Sequence, residues 1–241
     1  MKHAFYSTAG RVKPINEDAA LLRIASCAHH VRGMLAVCDG VSSLSDSAQA
    51  SRFVIACLNE LFEKWKMQSI RPQKELMLIH KMLYDKGQKD HHPYGTTCSL
   101  FMFEDDTYHI FQIGDSRIYL MREKLSLLTV DQTLARMKYD QQTISLEAYC
   151  HSHERHVLTQ CLGVSMPLQI AQSQGQWQSC DAVLICSDGI SNRLRKEVLQ
   201  EHMKRFIHKE GGDSAFILAK AAMAAGERDN LSAVLFSRCA K

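Results

Sequence analysis

Five short acidic segments lie far apart along the 241 residues: Asn16-Glu17-Asp18, Val37-Cys38-Asp39-Gly40, Ile113-Gly114-Asp115-Ser116, Ile185-Cys186-Ser187-Asp188-Gly189 and Asp229-Asn230. Three of them follow apolar runs. A buried strand that ends in an acid delivers a carboxylate to the rim of its sheet, and several such carboxylates at one rim repel one another unless cations hold them. The donors are hard oxygens with no histidine or cysteine at zinc spacing beside them, a set that selects Mg2+ or Mn2+ over Zn2+. Two such ions about 3.5–4 Å apart would share a bridging water, lower its pKa and clamp an in-line displacement at phosphorus. Hydrolysis of a phosphate ester is the chemistry implied. Gly40 and Gly189, each directly after an acid, are expected to let the backbone turn sharply and bring a carbonyl or a water to the ion.

The elements that must carry these acids can be read from periodicity. Strand-like runs occupy 19–26, 33–38, 97–103, 108–113, 117–121, 182–186 and 231–237, several of them bounded by turn residues. The first residues, 1–7, also read as a polar strand-like segment without an apolar leader. Between the strands ending at Cys38 and beginning at Thr97, Phe53/Val54, Cys57/Leu58, Leu61/Phe62 and Trp65 recur at helical spacing behind the candidate caps Ser45 and Asp46. A second helix starts at Pro72 and carries Leu76, Ile79 and Leu83 on one face. A third spans 214–225 and stops at Gly226, placed to cap it. Strands, a helix pair, strands and a helix argue for an α+β layered sandwich with helices outside the sheets.

The bulk numbers are those of a soluble globular chain, with 46% hydrophobic and 23% charged residues and no repeat or linker to divide it, so one domain over 1–241 is expected. A net charge of +3 from well-mixed residues marks neither a nucleic-acid nor a membrane surface, and no window is apolar enough to span a bilayer. The nine cysteines are odd in number and four of them, Cys38, Cys57, Cys98 and Cys186, sit in apolar runs, which reads as reduced thiols in a cytoplasmic protein.

Taken in order, Gly10/Lys13/Asn16-Glu17-Asp18, Val37-Cys38-Asp39-Gly40, Gly95-Thr96-Thr97, Gly114-Asp115-Ser116-Arg117, Leu128-Thr129/Asp131, Leu158-Thr159-Gln160-Cys161-Leu162-Gly163, Ser187-Asp188-Gly189 and Asp229-Asn230-Leu231-Ser232 resemble the metal-dependent (type 2C) serine/threonine protein phosphatases in their compact bacterial form. The resemblance implies a four-layer αββα sandwich, two mostly antiparallel sheets flanked by paired helices. It implies a phosphoserine/phosphothreonine phosphatase with two, or with a third ion three, Mn2+ or Mg2+ ions. Asp39 would bridge two ions. Asp188 and Asp229 would complete one shell, and Glu17 or Asp18 with the Gly40 carbonyl the other. Asp115 with Asp188 would take the third. Thr97, Asp131 and Asn230 would orient ligands or waters, and Arg117 would be a structural ion-pair partner. The partners implied are phosphorylated proteins and the serine/threonine kinase whose products they are.

The chain departs from the family's pattern in three places. Lys13 stands where the family carries a phosphate-gripping arginine, keeping the charge without the bidentate fork; Arg11, on the same side if the segment were a strand, is the other candidate for the phosphate. Val41-Ser42-Ser43 replaces a glycine-rich turn, and Val41 cannot donate a proton to the leaving group. The segment 133–156 corresponds to the family's variable flap, and its His151, His153 and His156 are expected to be solvated rather than metal-bound. Two other readings stand beside the enzyme: a non-catalytic phosphoprotein-binding module on the same fold, and a phosphatase of small molecules.

Overall fold

A computed structural model describes residues 1–27, 30–208 and 212–238. Among them two five-stranded sheets face each other, with neighbouring strands antiparallel throughout. One sheet joins β1 (Lys2–Thr8), β10 (Leu231–Ser237), β9 (Ala182–Cys186), β6 (Arg117–Met121) and β7 (Leu125–Leu127) in that order. The other joins β2 (Asp18–Cys27), β3 (His30–Asp39), β4 (Cys98–Glu104), β5 (Thr107–Ile113) and β8 (Ala171–Gln176). Helices α1 (Ser47–Met67) and α2 (Pro72–Asp90) cover the second sheet. Short helices α3 (Leu134–Asp140), α4 (Leu146–His151) and α5 (Asp188–Ser191) follow, and α6 (Lys196–His208) with α7 (Ser214–Ala224) covers the first sheet.

Alternation within the strands sorts side chains into three buried layers. Met34, Ala36 and Cys38 of β3 pack on α1 and α2, while Leu35 and Val37 enter the layer between the sheets. Val183 and Ile185 of β9 and Val234 and Phe236 of β10 meet them there, and Leu184, Ala233 and Leu235 face α6 and α7. The expected four-layer sandwich is therefore present, with α6 as an outer helix that the sequence reading left out.

The cap expected for α1 does not form. Asp46 lies in the left-handed region (φ 54°) and makes no side-chain cap. The hydroxyls of the first turns are spent on Glu17 instead: Ser47 on its carboxylate and Ser51 on its carbonyl. Pro72 does open α2. Gly226 (φ 90°) follows α7 and donates to the Met223 carbonyl while Glu227 donates to that of Ala222, the paired bonds of a Schellman ending. The seven cysteines with described side chains are all free, with Cys150 and Cys180 exposed; Cys27 and Cys239 lie outside the described side chains.

Candidate metal centre

Strand parity decides which acids meet. Asp39 shares its face with Leu35 and Val37, and Asp18 shares its face with Ala20 and Leu22, so both point into the layer between the sheets where that layer reaches solvent. They are directly opposed across the β2–β3 ladder. Ser187 and Asp188 follow β9 and start α5, Asp115 sits in the β5–β6 turn, and Asp229 precedes β10.

These carboxylates feel one another strongly. Burial pushes Asp18 up to about 7, against hydrogen bonds from Ser232 and Ser187. Burial, then the charges of Asp18, Asp188, Asp115 and Asp229, drives Asp39 well above the usual carboxylate range. Asp115 is raised by burial and then by Asp188 and Asp131. Such mutual repulsion in a buried setting is what a cation relieves.

The hydrogen bonds hold backbone more than carboxylate. Thr97 accepts from the Asp39 N–H (2.9 Å) and donates its own N–H to the Asp39 carbonyl (2.8 Å), so it fixes the strand end that presents the acid. Asn230 accepts from the Glu17 N–H (2.9 Å) and donates to the carbonyls of Ala9 and Ile15, tying the β1–β2 loop to β10. Ser187 donates to Asp18 Oδ2 (2.8 Å), whereas buried Asp18 Oδ1 has no partner. Asp131 holds Arg117 in a two-pronged pair at 2.9 and 2.6 Å, as expected of a structural arginine.

Gly40 and Gly189 are needed for a reason other than the one expected. Neither has positive φ. A Cβ on Gly40 would stand 2.5 Å from the Ser47 carbonyl oxygen, and one on Gly189 2.1 Å from that of Asn230. Close approach of loops, rather than a tight turn, excludes a side chain.

Lys13 is drawn into the acidic cluster. Its ammonium lies 2.8 Å from Glu17 Oε2 and 3.0 Å from Asp229 Oδ1, and donates to Ser42 Oγ at 2.6 Å. Burial alone would lower its pKa, but these partners raise it to about 12. Glu17 moves the other way, lowered by Lys13, Ser47 and Ser42 despite burial. The lysine is thus a counter-ion within the acidic site. Arg11 is exposed in a turn at residues 10–12, where the chain has left β1 at Gly10 (φ 72°), so the strand geometry that would align it with Lys13 is absent.

The flap segment is helical, built from α3, α4 and a 3-10 turn at His153–His156, with Lys138 paired to Glu154. His151 turns back onto the Glu147 carbonyl. His156, expected in solvent, instead reaches Asp188 (Nδ1 to Oδ2, 3.7 Å), which raises its pKa and ties the flap to the site. Ser42, Ser47 and Asn192 are further unanticipated members, each bonded to Glu17 or Asp188.

The donor set fits hard divalent ions: it is all oxygen, it includes the orphaned Asp18 Oδ1, and its acids raise one another's pKa. As the side chains stand, no three His, Cys, Asp or Glu residues among those described close into a ligating group. Lys13 holds Glu17 and Asp229 in ion pairs.

Comparison with known proteins agrees with this architecture. The serine/threonine phosphatase stp of Listeria monocytogenes serotype 4b is 25% identical over 99% of this chain and 96% of its own length. A crystal structure of a bacterial serine phosphatase superposes with a TM-score of 0.85 at 21% identity, covering 98% of this chain and 96% of that one. The catalytic domain of the phosphatase PstP, solved in complex with two manganese ions, superposes with a TM-score of 0.75 at 24% identity over 97% of this chain and 96% of its own. The family model for protein phosphatase 2C matches residues 11–225. The chain belongs to the protein phosphatase 2C family.

Proposed function

We propose that the chain is one catalytic domain that hydrolyses phosphoserine and phosphothreonine in proteins, in the cytoplasm, reversing the action of a cognate serine/threonine kinase. The observation that carries the reading is the gathering of Asp18, Asp39, Asp115 and Asp188 at one end of the inter-sheet layer, where Asp18, Asp115 and Asp188 raise the pKa of Asp39 and Asp188 raises those of Asp18 and Asp115. The two manganese ions of the PstP domain support the cofactor assignment.

Asp39 would bridge two Mn2+ or Mg2+ ions, with Asp188 and Asp229 on one side and Glu17 or Asp18 with the Gly40 carbonyl on the other. Asp115 and Asp188 would hold a third. When bound, the ions supply an activated water and neutralise charge on the phosphoryl oxygens. The protein's own share is positional. Thr97 fixes the Asp39 backbone, Asn230 fixes Glu17, and the Arg117–Asp131 pair braces the turn that presents Asp115. Lys13 brings positive charge to the rim, and the substrate phosphate competes there with Glu17 and Asp229 for its ammonium. The 133–156 flap stands over the site through His156.

One observation favours the non-catalytic alternative: Lys13 already bridges Glu17 and Asp229. Hydrolysis of p-nitrophenyl phosphate and a phosphothreonine peptide with added Mn2+ separates the two. Metal-dependent turnover that disappears in Asp39→Asn supports the enzyme, and metal binding without turnover supports the module. Parallel assay of free phosphorylated metabolites tests the small-molecule reading.

A further inference from the structure

We propose that the groove along the outer edge of β2 and the start of α1 docks an extended acidic phosphopeptide; the proposal rests on the phosphatase reading and narrows its substrate class. Among the described residues β2 pairs on one side only, with β3, which leaves the other side of its backbone to receive a strand. A cavity of about 600 Å³ runs along that side, bounded by residues 19–23, by His3 and Phe5 of β1 and by Arg52 and Ile55 of α1. A second, of about 670 Å³, reaches Glu17 and Ser47 and is also bounded by Arg52. One arginine thus joins the edge groove to the acidic centre.

The charge of the groove selects the partner. No carboxylate lines the first cavity, whereas Arg23, Arg52 and His3 do. Arg32, Arg117, Arg122 and Arg136 each face a carboxylate. Among the described residues Arg23 and Arg52 face none: Arg23 donates to Asn59 Oδ1 (2.6 Å) and Arg52 to the Asn16 carbonyl (3.4 Å). A guanidinium has five N–H donors, so both retain capacity for a carboxylate. Of the acids of the second cavity, Glu17 is already paired with Lys13, and Asp46 lies on the far side of Ser47, 3.2 Å from His92 Nε2. Phe5 and Ile15, half exposed, add apolar footing.

The strand sets a ruler. Arg23 is five residues from Asp18, roughly 17 Å at about 3.3 Å per residue. A peptide running along the edge with its phosphate at the acids would place a carboxylate beside Arg23 about five positions away, with Arg52 contacting one closer in.

The test compares phosphothreonine peptides carrying glutamates or lysines at those flanking positions, with p-nitrophenyl phosphate as a substrate too small to reach the groove. In the Arg23→Glu/Arg52→Glu double variant, kcat/KM for the glutamate peptide relative to p-nitrophenyl phosphate should fall by about tenfold or more, and the preference should swing to the lysine peptide. Arg23→Gln/Arg52→Gln should lose the discrimination without reversing it. An unchanged ratio, or an equal loss on all three substrates, overturns the proposal. So does a concentration-dependent dimer that the reversal abolishes, which would give the groove to a second copy. If wild-type protein fails to turn over p-nitrophenyl phosphate with Mn2+, the phosphatase reading falls by itself. Anisotropy of the labelled glutamate peptide still decides the groove, since binding that survives charge reversal rules it out.

Discussion

The layer between the two sheets has two ends of opposite character, built by the same strands. At one end Phe101, Phe103, Tyr108, Trp177 and Phe236 pack ring against ring, with centroids 5.0–6.4 Å apart. At the other, Asp18, Asp39, Asp115 and Asp188 repel one another. Along β4 the inward positions run Phe103, Phe101, Ser99, Thr97, and along β3 they run Leu35, Val37, Asp39. The period of two never changes; only the chemistry of each successive inward residue does. The aromatic end supplies stability that the acidic end consumes, and the continuous ladder lets one hold the other in place.

The sharpest way to break this division is to exchange its costs. Asp39→Asn removes an acid whose ionisation its neighbours oppose, so it should lower kcat with Mn2+ by at least ~100-fold while leaving the thermal midpoint in chelator equal or higher. Trp177→Ala should do the reverse. Trp177 is 2% exposed and stacks on Phe103 at 5.6 Å, so truncation should cost about 3–5 kcal/mol in denaturant unfolding. The kcat of the fraction still folded should stay within about twofold, because additivity holds for separated sites. A Trp177→Ala protein that is stable but inactive would show that the two ends are not separable.

Metal removal sharpens the contrast through pH. Asp18 is raised by burial to about 7, and Asp39 and Asp115 are raised as well. A folded-state pKa above the unfolded value means that the native state holds the extra proton. This contribution is complete below the unfolded value, about 4, and is lost as pH rises through about 7. In chelator the thermal midpoint should therefore drop by on the order of 5 °C between pH 5 and 8, and Asp18→Asn should flatten the drop. Saturating Mn2+ should reverse the slope, since the ions bind the deprotonated acids. A chelated protein whose midpoint rises over that range would contradict the acid-end account.

The two ends also differed in how far they could be read in advance. Asp39, Asp115 and Asp188 were legible because each closes or follows an apolar strand, and parity places Asp39 and Asp18 on one face. The helix pair α1–α2 was legible from three-to-four spacing. Helix α6 carries the same signal in Leu199, Met203 and Phe206, but charged residues surround it and mask the stripe. Strand β8, Ala-Gln-Ser-Gln-Gly-Gln, has no apolar alternation because it is an exposed edge, held by pairing with β5. The ion pairs of Lys13, the serines around Glu17 and the reach of His156 to Asp188 depend on loops meeting in space. No local pattern encodes such meetings.

The smallest expected effect lies at the boundary between the two ends. Ser99 shares its single hydroxyl hydrogen between Gln112 Oε1 (2.6 Å) and the Ser116 carbonyl, while Gln112 Nε2 donates to the carbonyls of Gly114 and Ser116. This fully buried network lies between the rings and the acids, and it holds the turn that carries Asp115. Ser99→Ala removes one donor and leaves the Gln112 oxygen without a partner, a cost of about 1–3 kcal/mol by urea unfolding. Because Gln112 still holds the Gly114 and Ser116 carbonyls, the Asp115 turn should keep its place, and kcat at saturating Mn2+ should fall by less than about threefold. Gln112→Leu, which frees both carbonyls, should weaken the apparent Mn2+ affinity more than Ser99→Ala does. Equal metal affinity in the two variants would mean that the turn is held by its contacts with Thr97 and Gln132, and that the boundary network serves stability alone.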